Sequence, residues 1–140
     1  MVIRQASPAD AASIQTLLAQ LGYPGEEFIV YKAIQTYSNE GYHLIVGEAD
    51  AEIVAFVSLH WFDIFHSPGK MGRITAFCVS ENYRSQGIGR ELLQASEEFF
   101  ITKGCTKVEV TCNLRRTLTH EFYLKNGYVI DSKRFIKSIL

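Results

Sequence analysis

The residues best suited to chemistry run from Val79 to Arg90, where Ser80-Glu81-Asn82-Tyr83-Arg84-Ser85-Gln86-Gly87-Ile88-Gly89 leads out of one hydrophobic segment and into a leucine-rich one. Glycines at 87 and 89 allow a backbone to come close to a ligand, and a helix opening there aims the N–H groups of Gln86, Gly87, Ile88, Gly89 and Arg90 outward. Arg84 and Arg90 add positive charge, so the segment predicts an anion site of pyrophosphate size. Two better-known phosphate loops do not fit. Leu92 stands where a dinucleotide fingerprint needs its third glycine, and Gly69-Lys70 is followed by Met71 instead of Ser or Thr.

Other reactive side chains are less decisive. Tyr123, next to Phe122, reads on its spacing alone as packing between a helix and a sheet. Asn113 reads either as a ligand hydrogen-bonding group or as a turn residue. His60, Asp63 and His66 are candidate bases, but their loop fixes no ligand geometry and no metal is expected. Cys78, Cys105 and Cys112 form no CxxC pair and no Cys-His-acid constellation, so Cys78 and Cys112 read as small buried hydrophobes and a covalent cysteine route is disfavoured.

The elements that must position these residues follow from periodicity and capping. Val2 to Gln5 predicts a strand, and Ser7-Pro8-Ala9-Asp10 supplies an N-cap hydroxyl, a proline at N1 and an acid at N3 for a helix carrying Ile14, Leu17, Leu18 and Leu21. A second helix runs from Glu26-Glu27 through Phe28, Tyr31 and Ile34. His43 to Glu48, Glu52 to Trp61 and Met71 to Val79 predict a three-stranded meander. Ile88, Leu92, Leu93, Ala95, Phe99 and Phe100 mark a helix ending at Lys103-Gly104. Lys107 to Cys112 predicts a strand, Leu118 to Tyr123 a helix ending at Asn126-Gly127, and Tyr128 to Ile139 two closing strands around Asp131-Ser132. The aromatic loop from Phe62 to Gly69 predicts a substrate wall.

Composition narrows the class. With 140 residues, 47% hydrophobic and 21% charged, the chain predicts one folded domain over 1–140. A formal net charge of −1 gives no field for nucleic acid or an anionic membrane. The N-terminal segment interleaves polar residues and predicts neither a signal peptide nor a membrane span, and the cysteine pattern suits a reducing, cytoplasmic setting.

Arg84-x-x-Gly87-x-Gly89 after a strand, followed by a leucine-rich helix, resembles the acetyl-CoA motif of the GCN5-related N-acetyltransferases (GNAT). His120-Glu121-Phe122-Tyr123-Leu124-Lys125-Asn126-Gly127-Tyr128 resembles that superfamily's second motif, and Leu21-Gly22-Tyr23-Pro24 a common turn between its first two helices. Thr111-Cys112-Asn113 and the arginines after it look most like the small-amine acetyltransferases, of aminoalkylphosphonate and aminoglycoside type. The resemblance covers nearly the whole chain. It implies the α/β (α+β) GNAT fold: a central mixed, mostly antiparallel sheet of six to seven strands, splayed at the cofactor site and flanked by about four helices. The implied order is strand, two helices, three strands, helix, strand, helix, two strands.

The resemblance further implies direct attack of an amine on acetyl-CoA in a ternary complex. Arg84, Ser85, Gln86, Gly87, Ile88, Gly89 and Arg90 would hold the pyrophosphate, and the strand edge at Phe77, Cys78 and Val79 the pantetheine arm, with a backbone N–H near Cys78 as oxyanion donor. Asn113 would bond that arm as well. Tyr123 would contact the cofactor and protonate the leaving thiolate. Many relatives carry a glutamate on the strand before the glycine turn, where this chain has Arg73-Ile74-Thr75-Ala76-Phe77, so the base is unassigned. Tyr23, Glu26, Glu27, Tyr31, Trp61, Phe62 and Phe65 are the expected acceptor wall. A small-molecule amine is the expected substrate. The alternatives are a protein lysine or N-terminal amine, and a non-catalytic acyl-CoA-binding module. Phe135, Ile136, Ile139 and Leu140 in the last predicted strand suggest a homodimer.

Overall fold

A computed structural model describes residues 1–112 and 116–140. Strand β1 (Val2–Gln5) leads through a 3-10 turn at Pro8–Asp10 into α1 (Ala11–Leu21). The capping box forms as expected: Ser7 N–H donates to Asp10 Oδ2 at 2.8 Å, and Ser7 Oγ lies 3.4 Å from the same oxygen. The Arg4 guanidinium donates to both Asp10 oxygens at 2.8 and 2.9 Å, tying β1 to the start of α1. This bidentate partner, aided by Ser7, holds the largely buried Asp10 carboxyl below its usual range despite the opposing effect of burial.

The remaining elements are α2 (Glu27–Thr36), β2 (Tyr42–Ala49), β3 (Glu52–Asp63), β4 (Lys70–Val79), α3 (Ile88–Thr102), β5 (Cys105–Val110) and α4 (Thr117–Lys125). They form one mixed sheet in the order β1-β2-β3-β4-β5, antiparallel from β1 to β4 and parallel between β4 and β5. Asp50 and Ala51 both take positive φ, the backbone a two-residue hairpin between β2 and β3 requires.

Helices cover both faces. On one, Ile14, Leu17, Val30 and Ile34 of α1 and α2 pack with Leu44, Val46, Phe56 and Cys78. On the other, Leu92, Leu93 and Phe100 of α3 and Tyr123 of α4 pack with Ile45, Val57, Leu59 and Ile74. Fully burying a leucine or phenylalanine side chain of this kind contributes about 1.5–3 kcal/mol. The central strand β3 is buried continuously from Val54 to Leu59, as a strand sandwiched between two helical layers must be.

The sheet has five strands among the described residues, not the six to seven expected. Residues 128–140 contain neither helix nor strand, and Val129, Ile130, Phe135, Ile136, Ile139 and Leu140 are 76–115% exposed. The segment has strand-like composition, but a strand exists only where another edge pairs with its backbone, and among the described residues none pairs with it.

Candidate active site

The parallel pairing of β4 with β5 begins at Lys70↔Cys105 and stops at Ile74↔Val110. From Thr75 to Val79 the β5-facing edge of β4 therefore opens into a cleft. The cause is local. Ser58 pairs with Ala76 and Leu59 with Ile74, so Thr75 is an extra residue on β4, a β-bulge that bends the strand away from its neighbour.

The cleft leads from this edge to the start of α3. Ser85 (φ 62°) and Gly87 (φ 83°) both adopt the left-handed conformation, and α3 begins at Ile88 with no side chain capping it. Its first N–H groups thus face outward as an anion cradle. A Cβ built on Gly87 would meet nothing within 4 Å, so the space beside this turn is open. A Cβ on Gly89 would come 3.4 Å from the Phe122 ring and 3.7 Å from Val79. A Cβ at Gly89 would thus meet its neighbours at ordinary contact distance, whereas the open room for an anion is at Gly87. Arg84 Nε donates to the Val79 carbonyl at 3.2 Å, fixing the loop to the strand end, while Arg84, Ser85, Gln86 and Arg90 are exposed and Ile88 is buried under them. This open cradle of backbone donors and arginines fits a pyrophosphate-bearing cofactor.

Alternation along β4 assigns the faces. Phe77 and Val79 turn toward α3 and α4, and Phe77 meets Phe122 edge-on at 6.0 Å. The Cys78 side chain turns to the α1 face, where Sγ donates to the Leu17 carbonyl at 3.2 Å; burial pushes its thiol up, which makes it inert. Tyr123 is 8% exposed and packs edge-on against Phe122 at 5.3 Å and Tyr128 at 5.5 Å. Among the described residues nothing hydrogen-bonds its hydroxyl, and burial above all, with Cys112 contributing, raises its pKa so that it keeps its proton. Asn113 lies outside the described residues.

The candidate bases separate clearly. Asp63 is exposed and paired with Lys70 at 2.8 Å, and His66 is exposed. His60 is half-buried, stacked on Tyr42 at 4.4 Å, and its Nδ1 lies 2.8 Å from the Gly41 carbonyl. A carbonyl only accepts, so Nδ1 carries the hydrogen and Nε2 is left as the basic atom. No group of three His, Cys, Asp or Glu side chains gathers as metal ligands among the described residues.

The acceptor wall expected from sequence is corrected at Trp61. That ring faces α3, buried against Phe99 at 5.4 Å with Lys103 over it, on the opposite side of the sheet from His60. Phe65 is wholly exposed, as are Tyr23 and Tyr31 in large part, so they build no enclosed pocket. In their place the bulge assembles a group the sequence did not reveal. Tyr37 Oη lies 2.8 Å from Thr75 Oγ1, which lies 2.6 Å from Ser58 Oγ and 3.2 Å from the Ser58 carbonyl. This hydroxyl chain runs from the surface at Thr75 to the buried Ser58, and Tyr42 links it to His60 through a Tyr37–Tyr42 contact of 4.9 Å.

Comparison with known proteins agrees with this geometry. The family model for acetyltransferases of the GNAT family matches residues 11–128. An aminoalkylphosphonate N-acetyltransferase from Salmonella typhimurium is 27% identical over 139 residues, covering 98% of this chain and 90% of that protein. Among solved structures, a GNAT family acetyltransferase from Staphylococcus aureus is similar with a TM-score of 0.85 at 23% identity, over 99% of this chain and 98% of that one. An aminoglycoside antibiotic 6'-N-acetyltransferase from Acinetobacter haemolyticus gives 0.85 at 17%, over 99% and 97%. A splayed parallel strand pair, a glycine turn opening a helix and a match over most of the chain thus converge: this chain belongs to the acetyltransferase (GNAT) family and is an N-acetyltransferase.

Proposed function

We propose that the protein, as a single domain over residues 1–140, transfers the acetyl group of acetyl-CoA to the primary amine of a small molecule by direct attack in a ternary complex. The observation that carries this reading is the open β4 edge from Thr75 to Val79 leading straight to the outward N–H groups at the start of α3. When bound, acetyl-CoA supplies the thioester that the amine attacks and a thiolate that must be protonated on leaving.

The chain's own groups divide the work. The N–H groups from Gln86 to Arg90, with Arg84 and Arg90, hold the pyrophosphate, and the free edge at Phe77, Cys78 and Val79 pairs with the amide-bearing arm. A backbone N–H near Cys78 stabilises developing negative charge, a role that contributes about 3 kcal/mol when well placed. Tyr123, protonated and unengaged, donates to the departing sulfur. On the other side of the bulge, the Tyr37–Thr75 hydroxyls seat the acceptor ammonium and His60 Nε2 takes its proton through water, the task that a strand carboxylate performs in relatives.

The named activities of the Salmonella and Acinetobacter relatives support a small-molecule amine. The exposed Tyr23, Tyr31 and Phe65 favour a second reading, a protein lysine or N-terminal amine, because they leave the acceptor side open. Three unpaired thiols support a reducing, cytoplasmic setting, and among the described residues no helix is long and apolar enough to cross a membrane. The exposed apolar residues of 129–140 support a homodimer. The test is thiol release from acetyl-CoA with a panel of aminoalkylphosphonates, aminoglycosides, polyamines and lysine peptides. Release that depends on a small amine is expected. Release with peptides alone would move the reading to a protein acetyltransferase, and tight binding without release under any amine would reduce the protein to a binding module.

A further inference from the structure

A charge without a counter-ion stands where α4 meets α1. Arg116 is the N-cap residue of α4, and its carbonyl accepts a bond from the His120 N–H at 3.0 Å. Its side chain leaves α4 and crosses to the end of α1, where Nη2 donates to the Leu21 carbonyl. That carbonyl lies in the last turn of α1, whose carbonyls find no partner within the helix, so the bond accounts for one N–H of the guanidinium. The guanidinium also lies beside Gly22, where a Cβ would come 3.8 Å from Nη2. Among the described residues no carboxylate pairs with it: the ion pairs join Arg4 to Asp10 and Glu48, Lys70 to Asp63, and Arg73 to Glu109.

A half-buried guanidinium presents a planar fork of donors, and keeping it from water with one neutral acceptor is unfavourable until an anion joins it. What feels the charge shows where it lies. Burial raises the pKa of the Cys78 and Cys112 thiols, and the Arg116 charge, joined at Cys78 by Arg84, works against burial at both. Cys78 is on β4 and Cys112 lies just past the end of β5, so the guanidinium stands by the gap where these strands part. Cys112 in turn adds to the effect of burial on Tyr123, so the charge and the proton donor border one space. Along β4, Cys78 is three residues from Thr75, about 10 Å in an extended strand, a span that suits a short molecule with an amine at one end and an acidic group at the other.

We infer that Arg116 determines the specificity of the acceptor site: its guanidinium holds an oxyanion, whether carboxylate, phosphate or phosphonate, carried by the small amine whose nitrogen is seated at Thr75. This deepens the proposed acetyl transfer and rests on it. Arg4 and Arg73 reach the same face of the sheet, but each is already engaged by a carboxylate, at 2.8 and 2.9 Å. Arg84 and Arg90 belong to the pyrophosphate cradle at the start of α3. A second role follows from the Leu21 bond. The fork ties the start of α4 to the turn after α1, so an oxyanion bound there also draws together the two elements that border the acceptor.

The test is kcat/KM for thiol release with 2-aminoethylphosphonate, O-phosphoethanolamine and β-alanine, against butylamine as the neutral arm and 1,3-diaminopropane as the cationic one. The wild type, Arg116→Gln and Arg116→Lys are compared, with circular dichroism checking the fold. The wild type should prefer an oxyanion-bearing amine over butylamine by about tenfold or more, and the best of the three acids identifies the oxyanion. In Arg116→Gln the preference should fall to within about twofold, through KM, while butylamine turnover is retained, and Arg116→Lys should keep part of it. A purely structural clamp would slow every amine by the same factor, and an unchanged preference in Arg116→Gln would overturn the inference. So would a wild type that prefers butylamine or the diamine, with acetyl transfer itself left standing. If no amine releases thiol, the proposed activity fails, and calorimetry with the three acids in the presence of CoA decides the inference alone: binding that Arg116→Gln abolishes supports it, and no binding to the wild type overturns it.

Discussion

Replacing Tyr123 by phenylalanine isolates a proton donor from a packing residue, because the structure gives the two roles different costs. The ring is 8% exposed and held by Phe122 and Tyr128 at 5.3 and 5.5 Å, contacts that phenylalanine keeps. No described residue hydrogen-bonds the hydroxyl, so its removal orphans no partner and stability should change by less than about 1 kcal/mol. Burial raises the phenol's pKa, so the native side chain is protonated at neutral and mildly alkaline pH and can donate. Losing that donor should lower single-turnover acetyl transfer by roughly 10²-fold or more, equivalent to about 2.7 kcal/mol of barrier, with acetyl-CoA affinity unchanged. Tyr123→Ala, by contrast, empties a core position and should cost about 3–5 kcal/mol of stability. The assay is thiol release with saturating amine, alongside calorimetry and thermal melting of both variants. Wild-type turnover in Tyr123→Phe would refute the acid assignment and leave the ring as packing.

Thr75→Val keeps the shape of the bulge residue but removes the centre of the hydroxyl chain; kcat/KM for the amine should fall about tenfold or more with acetyl-CoA affinity unchanged, as initial rates over an amine titration would read. His60→Gln retains a hydrogen-bond donor toward Gly41 and removes the basic nitrogen, so kcat should drop by roughly 10²-fold while melting temperature barely moves. Asp10→Asn should cost roughly 1–2 kcal/mol near neutral pH, read from denaturant titration. Arg4 holds the Asp10 carboxyl below its usual range in the folded chain, so the unfolded chain takes up the proton first; the stabilisation is complete above about pH 4 and is lost as pH falls through the folded value, and the variant should lack that part of the acid-side loss.

The local rules of the sequence carried most of the fold. Ser7 and Asp10 announce α1 and form the expected box, Gly22 ends that helix, and the strands of the meander lie within two or three residues of their predicted bounds. The glycine turn that opens α3 is legible for the same reason: its conformation depends on consecutive residues. What failed depends on pairings far apart in sequence. Val54 to Leu59 are all buried, so no alternation shows which face of β3 a residue takes, and only its packing on Phe99 shows that Trp61 turns away from the expected acceptor wall. Thr75 looks unremarkable until the β3–β4 register makes it a bulge and brings Ser58 and Tyr37, 17 and 38 residues away, to its hydroxyl. Residues 129–140 have the composition of strands, but composition does not supply the edge that a strand needs.

The account rests on one placement, a cofactor lying along the open β4 edge with its phosphates at the start of α3. Amide chemical shifts recorded while acetyl-CoA is titrated in test it most directly. The largest changes should fall on Phe77 to Val79 and on Gln86 to Arg90, with β1 and the distal part of β2 nearly silent. Saturable binding that leaves both segments unshifted, or no binding at millimolar acetyl-CoA, would contradict it.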